Sequence, residues 1–205
     1  MKELAALLSV SRSTVSLWVR DIELTEEQRA FLRRRMGGRI DGARVNTVRG
    51  LERRRKAQSS GRRRAKGDDP LHLAGCMLYW AEGSRARHSV EFVNSDPAMI
   101  AFFVRFLRLC YRVPDSKIRV TCNLFADHEV QQREIERFWL ALLDLPRECL
   151  RKTAVNRFSK HSQKKRVNKL RYGTCRITVA DTQLVHNIYG AIQEYGGFER
   201  GEWVM

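Results

Sequence analysis

Between Leu71 and Ser84 the chain reads LHLAGCMLYWAEGS, with Glu82 as its one charged residue and apolar, aromatic or small side chains at most other positions. Asp68-Asp69-Pro70 precede it, acids at the amino end and a proline for the first turn, and Gly83 follows; together they predict a helix that opens near Pro70 and closes after Glu82. A helix apolar on nearly every side has little face to give to water, so it belongs in a core or at a subunit interface. The stretch before it, Arg33 to Lys66, is the reverse, too polar and too rich in arginine to contribute much core. One compact domain behind an extended basic portion follows from that contrast.

The basic portion also carries most of the charge. The chain holds 39 Lys and Arg against 23 Asp and Glu, a formal net charge of +16. Met1 to Gly67 contributes 18 cations against 7 acids, and the remainder 21 against 16. An imbalance of this size points to a polyanionic partner, with phosphate contact densest at the front. No apolar run reaches the length of a membrane span and no basic-then-apolar leader opens the chain, so a cytoplasmic protein without membrane contact is expected. Cys76, Cys110, Cys122, Cys149 and Cys175 are odd in number, scattered and never spaced as CxxC; they read as reduced, mostly buried thiols. His72 and Cys76 stand four apart and could share a helix face, but no second pair closes a tetrahedral metal site, and packing is the expected role.

Near the amino end, Leu4, Leu7 and Leu8 fall on one helical face, Ser9-Val10-Ser11 breaks the run, and Val15, Trp18 and Val19 fall on the inner face of a second helix that Ser11 is placed to cap. The string KELAALLSVSRSTVSLWVRDIEL resembles the helix-turn-helix of many bacterial regulators and recombinases. That resemblance implies that the second helix enters the major groove of double-stranded DNA, with Arg12, Ser13, Ser16 and Leu17 meeting base edges and Arg20 nearer the backbone. An ordinary helical hairpin used in packing is the alternative. Thr25-Glu26-Glu27-Gln28 opens a further helix, and the clusters Arg53-Arg54-Arg55 and Arg62-Arg63-Arg64 mark a basic arm for phosphate contact. Glycines at 37, 38, 42 and 50 speak against one rigid rod, and Ser59-Ser60-Gly61 reads as a hinge or linker.

Leu73-Ala74-Gly75 followed by Ala81-Glu82-Gly83-Ser84 resembles the LAGLIDADG homing-endonuclease family, in which two small-residue helices pack together and their terminal acids hold divalent metals that cut DNA. The resemblance spans about Pro70 to Tyr195. It implies that Glu82 is the catalytic and metal-binding position, that Mg²⁺ is the cofactor if the protein is a nuclease, and that a homodimer forms, since only one such helix is present. Downstream, Ser89–Val93 alternates like a strand, Asn94-Ser95-Asp96-Pro97 opens a helix to about Arg112, and Lys117–Leu124 alternates again. A helix from about Glu129 to Leu143, a possible strand after Leu150, a strand over Gly173–Val179 and a helix over Thr182–Tyr195 complete an α+β arrangement. Arg151 to Arg171 holds nine Lys and Arg and no acid, which predicts a second nucleic-acid contact through Lys152, Arg157, Lys164, Lys165, Arg166 and Lys169, a solvated loop being the alternative. Tyr79, Trp80, Phe102, Phe103, Phe106, Phe138 and Trp139 lie at helical spacing and are expected in the core.

Three parts are thus expected: a helix-turn-helix over 1–24, a basic helical arm over 25–67 and a LAGLIDADG-like α+β domain over 68–205. The leading function is sequence-specific binding of double-stranded DNA by a dimer. The alternative is a Mg²⁺-dependent endonuclease using Glu82 from each subunit, with Lys152 or Lys169 offsetting developing charge. RNA binding finds no RNP or GxxG pattern to support it.

Overall fold

The computed structural model describes residues 2–125, 130–156 and 170–204, and for 35–43 the backbone only. The chain is α+β and divides into two compact units, Met1–Arg49 and Gly50–Met205. Among the described residues no helix is long and apolar enough to cross a membrane.

In the first unit, α1 (Lys2–Leu7) and α2 (Arg12–Trp18) are joined by a four-residue turn in which Ser9 sits at φ 53°, a left-handed conformation. Ser11 caps α2 as expected, accepting from the Thr14 N–H at 3.1 Å. Thr25 and Gln28 form a reciprocal capping box at the start of α3 (Glu26–Ala65): the Gln28 N–H donates to Thr25 Oγ1 at 3.3 Å and the Thr25 N–H to Gln28 Oε1 at 2.9 Å. Only Ala5 and Val15 are buried in α1 and α2. Leu4, Leu7 and Leu8 are exposed, and Trp18, expected on the inner face, is 60% exposed. Two helices of six and seven residues offer too little surface to enclose that apolar set.

The hinge expected at Ser59-Ser60-Gly61 is instead uninterrupted helix, because α3 continues through it to Ala65. Gln58, Gly61 and Ala65, one turn apart, form a buried stripe on α3. A Cβ built on Gly61 would stand 1.9 Å from the Asn187 carbonyl oxygen, and one on Gly190 would stand 2.0 Å from that of Gln58. Two glycines thus let the backbones of α3 and α7 (Thr182–Gly196) touch, and here the glycines serve close approach rather than flexibility.

The second unit continues with α4 (Pro70–Glu82), β1 (Val90–Asn94), α5 (Pro97–Tyr111), β2 (Ile118–Phe125), α6 (Gln132–Leu143), β3 (Ala154–Asn156), β4 (Thr174–Val179) and α7. Asp69, Asp96 and Asp181 cap α4, α5 and α7 with their carboxylates, the first two ahead of a proline at the first turn. The strands make one sheet in the order β1-β4-β2-β3; β4 lies antiparallel to both neighbours, whereas β3 pairs parallel to β2. Alternation along the strands sends Val90 and Phe92, Cys175, Ile177 and Val179, and Ile118, Val120, Cys122 and Leu124 to one buried face. Against it pack Tyr79 of α4, Phe103 and Phe106 of α5, Trp139 of α6 and Ile188 of α7. The expected core aromatics hold, Phe102 and Phe138 being half-buried, apart from Trp80, which is 43% exposed. All five cysteines are buried free thiols.

Candidate nucleic-acid interface

The geometry of α2 follows from its length and cap. Val15 is the one buried position of α2, whereas Arg12, Ser13, Ser16 and Leu17 are exposed, as is Arg20 just beyond the helix. Thr14 is half-buried and its hydroxyl lies 2.8 Å from Ser11 Oγ, facing the turn. Arg20 pairs at 3.6 Å with the exposed Asp21, a contact that solvent screens to little.

Along α3 the two arginine triplets do not act as blocks. Consecutive helical residues point about 100° apart, so a triplet sends its members in different directions. Arg53, Arg55 and Arg63 are exposed, together with Lys56. The other three are half-buried and engaged with the domain itself. Arg54 donates to the Val204 carbonyl at 3.0 Å. Arg62 donates to Gln193 Oε1 at 3.1 Å and pairs with Glu199 at 3.1 Å. Arg64 donates to the Cys110 carbonyl, pairs with Asp69 at 3.7 Å and lies 4.9 Å over the Tyr111 ring. These three fasten α3 to the domain.

A second set of polar groups was not singled out from the sequence. The sheet face opposite the core carries Arg119, Thr121 and Asn123 on β2, Thr174, Arg176 and Thr178 on β4, and Glu91 on β1, all half-buried or exposed. Register aligns Glu91, Thr178 and Arg119 in one row and Val93, Arg176 and Thr121 in the next. Arg176 stands 3.9 Å from Glu91, while Arg119 donates to the carbonyls of Ser116 and Ile118 at 2.7 and 2.8 Å. The signal was available, since the period-2 alternation that placed KIRVTCNL and GTCRITV as strands also collects their polar residues on one side.

Glu82 closes α4 as expected and is exposed. Among the described residues its carboxylate has no hydrogen-bond or salt-bridge partner, and no group of three His, Cys, Asp or Glu side chains stands together where a metal could bind. One exposed carboxylate per chain does not fit Mg²⁺ by itself. The rest of α4 is two-faced. His72, Gly75, Cys76 and Tyr79 are buried, with Gly75 so close to Phe106 that a Cβ would lie 2.1 Å from the ring. Leu73, Ala74, Trp80 and Ala81 are exposed and make an apolar face, at whose edge the Trp80 ring meets that of Phe198 at 5.1 Å.

The pair His72 and Cys76 packs, as expected. His72 is enclosed, its Nδ1 2.7 Å from the Tyr195 hydroxyl and its Nε2 2.9 Å from that of Tyr111. Burial, assisted by the nearby Arg64, lowers its pKa to about 4, so the ring is neutral and divides its roles, one nitrogen donating and one accepting. Burial likewise pushes the Cys76 thiol up to about 12, which leaves it without nucleophilic character.

No protein-family model, curated protein or solved structure matches this chain. Of the expected basic contacts beyond β2, Lys152 is exposed, while Arg157, Lys164, Lys165, Arg166 and Lys169 lie outside the described residues.

Proposed function

We propose that the protein binds double-stranded DNA sequence-specifically, reading bases with α2 and holding backbone phosphates with exposed arginines, and that it acts as a dimer. The observation that carries this reading is the outer face of α2: a capped helix in a strongly basic chain that buries Val15 and turns Arg12, Ser13, Ser16 and Leu17 to solvent. A guanidinium and two hydroxyls on one short helix suit hydrogen bonding to base edges in the major groove, and Leu17 suits a thymine methyl. The exposed Arg53, Arg55 and Arg63 supply charge that is blind to sequence. Arg119 and Arg176 add a polar sheet face of the same sign.

The dimer is supported by α4, whose exposed Leu73, Ala74, Trp80 and Ala81 make an apolar face suited to a second copy of itself. Two copies would then present two reading helices to a palindromic site.

The test is selection of bound sequences from random duplex DNA. Enrichment of a palindrome is expected, and Arg12→Ala should relax preference at one base position per half-site by about 1 to 3 kcal/mol. Equal weakening on every sequence would mean that Arg12 touches phosphate only, and no enrichment at all would sink the reading. The same selected duplexes, incubated with Mg²⁺, decide the endonuclease alternative: staggered cuts that vanish in Glu82→Ala would establish cleavage, and intact duplexes leave a binding protein.

A further inference from the structure

Beside the edge strand β3, the first turn of α6 and the segment leading into β3 line a cleft of about 700 Å³. Four cationic side chains line it: Arg133 from α6, Arg147 from a short 3-10 turn, and Arg151 and Lys152 ahead of β3. At its base lies the Glu136 carboxylate, 4% exposed. Such a group is costly to bury, and it is satisfied on every side. Gln132 Nε2 donates to it at 2.8 Å, Arg147 Nη1 at 2.9 Å, and the Thr153 hydroxyl donates as well. Burial opposes its charge, yet the hydrogen bonds from Thr153, Gln132 and Arg147 prevail and hold its carboxyl below the usual range, so it is ionised.

One anion against four cations leaves the cleft with an excess of three positive charges. Arg147 is spoken for by Glu136, which fixes where its guanidinium lies. Among the described residues the side chains of Arg133, Arg151 and Lys152 have no acidic or carbonyl partner. Three unneutralised cations that share one concave space give it a positive potential that favours the entry of an anion. Arg147, pre-oriented by a buried carboxylate, offers its remaining N–H groups in a fixed direction, the geometry that suits two oxygens of one phosphate.

From this arrangement we infer that the cleft is a phosphate site that takes a backbone phosphodiester of the bound nucleic acid, with Arg147 as the oriented donor and Arg133, Arg151 and Lys152 as the neutralising charges. This rests on the nucleic-acid reading above and assigns it a contact that neither α2 nor α3 supplies. The ligand chemistry is a tetrahedral oxyanion, and its source, polymer or free phosphate, is separated by two measurements on the full-length protein.

The first is the dependence of duplex affinity on salt for wild type and for Arg151→Gln/Lys152→Gln. Both residues are exposed, so the double variant folds, as circular dichroism will verify. Each phosphate contact adds about 0.9 to the log–log slope, so the variant should lower the slope by about 2 and weaken binding roughly 10- to 100-fold, equally on selected and random duplexes. An unchanged slope overturns the proposal while leaving DNA binding intact. The second is titration of inorganic phosphate, followed by the amide NMR shifts of Leu150 to Thr153. Saturating shifts in wild type that vanish in the double variant are expected. If wild type binds no duplex at all, the nucleic-acid reading has failed on its own, and the phosphate titration still decides the cleft: no saturable shift means no anion site. Saturable phosphate with unchanged DNA affinity would overturn the assignment to the polymer.

Discussion

Replacing Gly190 by alanine sets two effects of opposite sign against each other, and the structure decides which wins. In an exposed helix interior the change stabilises by about 0.5 to 1 kcal/mol, because alanine loses less backbone entropy on folding. At Gly190 the new methyl would meet the Gln58 carbonyl oxygen at 2.0 Å, where ordinary contact begins at 3.4 Å. The obstacle is backbone on the facing helix, so no side chain can swing away; α3 and α7 must part by more than an ångström. That would strain the buried contacts between Gln193 Nε2 and Gln58 Oε1 at 3.4 Å and between Gln58 Nε2 and the Trp203 carbonyl at 3.2 Å. Overpacking of this kind costs about 1 to 3 kcal/mol, and weakening buried polar contacts about 1 more, so a net destabilisation of about 2 to 3 kcal/mol is expected. Urea unfolding followed by tryptophan fluorescence measures it. Gly50→Ala is the internal control, since its methyl would meet only the Arg54 guanidinium at 3.8 Å, and it should stabilise slightly. Should Gly190→Ala prove as stable as wild type, α3 would not be docked on α7, and Ser59-Ser60-Gly61 would be the hinge that the sequence suggests.

Acid should unfold the protein through its buried histidines. His72 and His186 both have pKa values lowered to about 4 by burial, against 6.5 when unfolded, so the unfolded chain takes up protons first as pH falls. Their stability contribution is complete above about pH 6.5 and is lost between there and pH 4, about 2 kcal/mol each by pH 5; a flat urea midpoint from pH 7.5 to 5 would refute this. Thr153→Val removes a donor from the buried Glu136 carboxylate while keeping its shape. A loss of about 2 kcal/mol is expected at pH 7, shrinking in acid as Glu136 protonates and its need for donors falls; a loss that does not change with pH would mean that only packing was disturbed.

Elements whose signals are local were legible in the sequence. Asp96-Pro97 and Asp69-Pro70 mark helix starts by chemistry confined to one turn, and the alternation of Ile118–Phe125 reports its own burial. The parallel pairing of β3 was not legible, because it depends on a crossover through α6 and not on anything within three residues. Gly61 misled for a related reason. A glycine that admits a neighbouring backbone and one that loosens a chain look alike until the neighbour, here Asn187, is known. The contacts of the arginine triplets were not legible, because acceptors such as Gln193, Glu199 and the Cys110 carbonyl come from elsewhere in the fold. The sheet's polar face and the cleft around Glu136 are likewise products of assembly, although the alternation that builds the first could have been read.

The crossing of α3 and α7 also bears on how the domain comes to be folded. Its two sides are 131 residues apart at the bond between Arg62 and Gln193, and 150 apart where Arg54 reaches the Val204 carbonyl. Closing so long a loop costs entropy before any contact repays it, so the arginine-rich helix is expected to join the sheet and its nearer helices late in folding. Until then Gln58, Gly61 and Ala65 face water. Native-state hydrogen exchange should therefore find the amides of α3 beyond Gly50 opening at lower free energy than those of β2 and β4, as a separate cooperative unit.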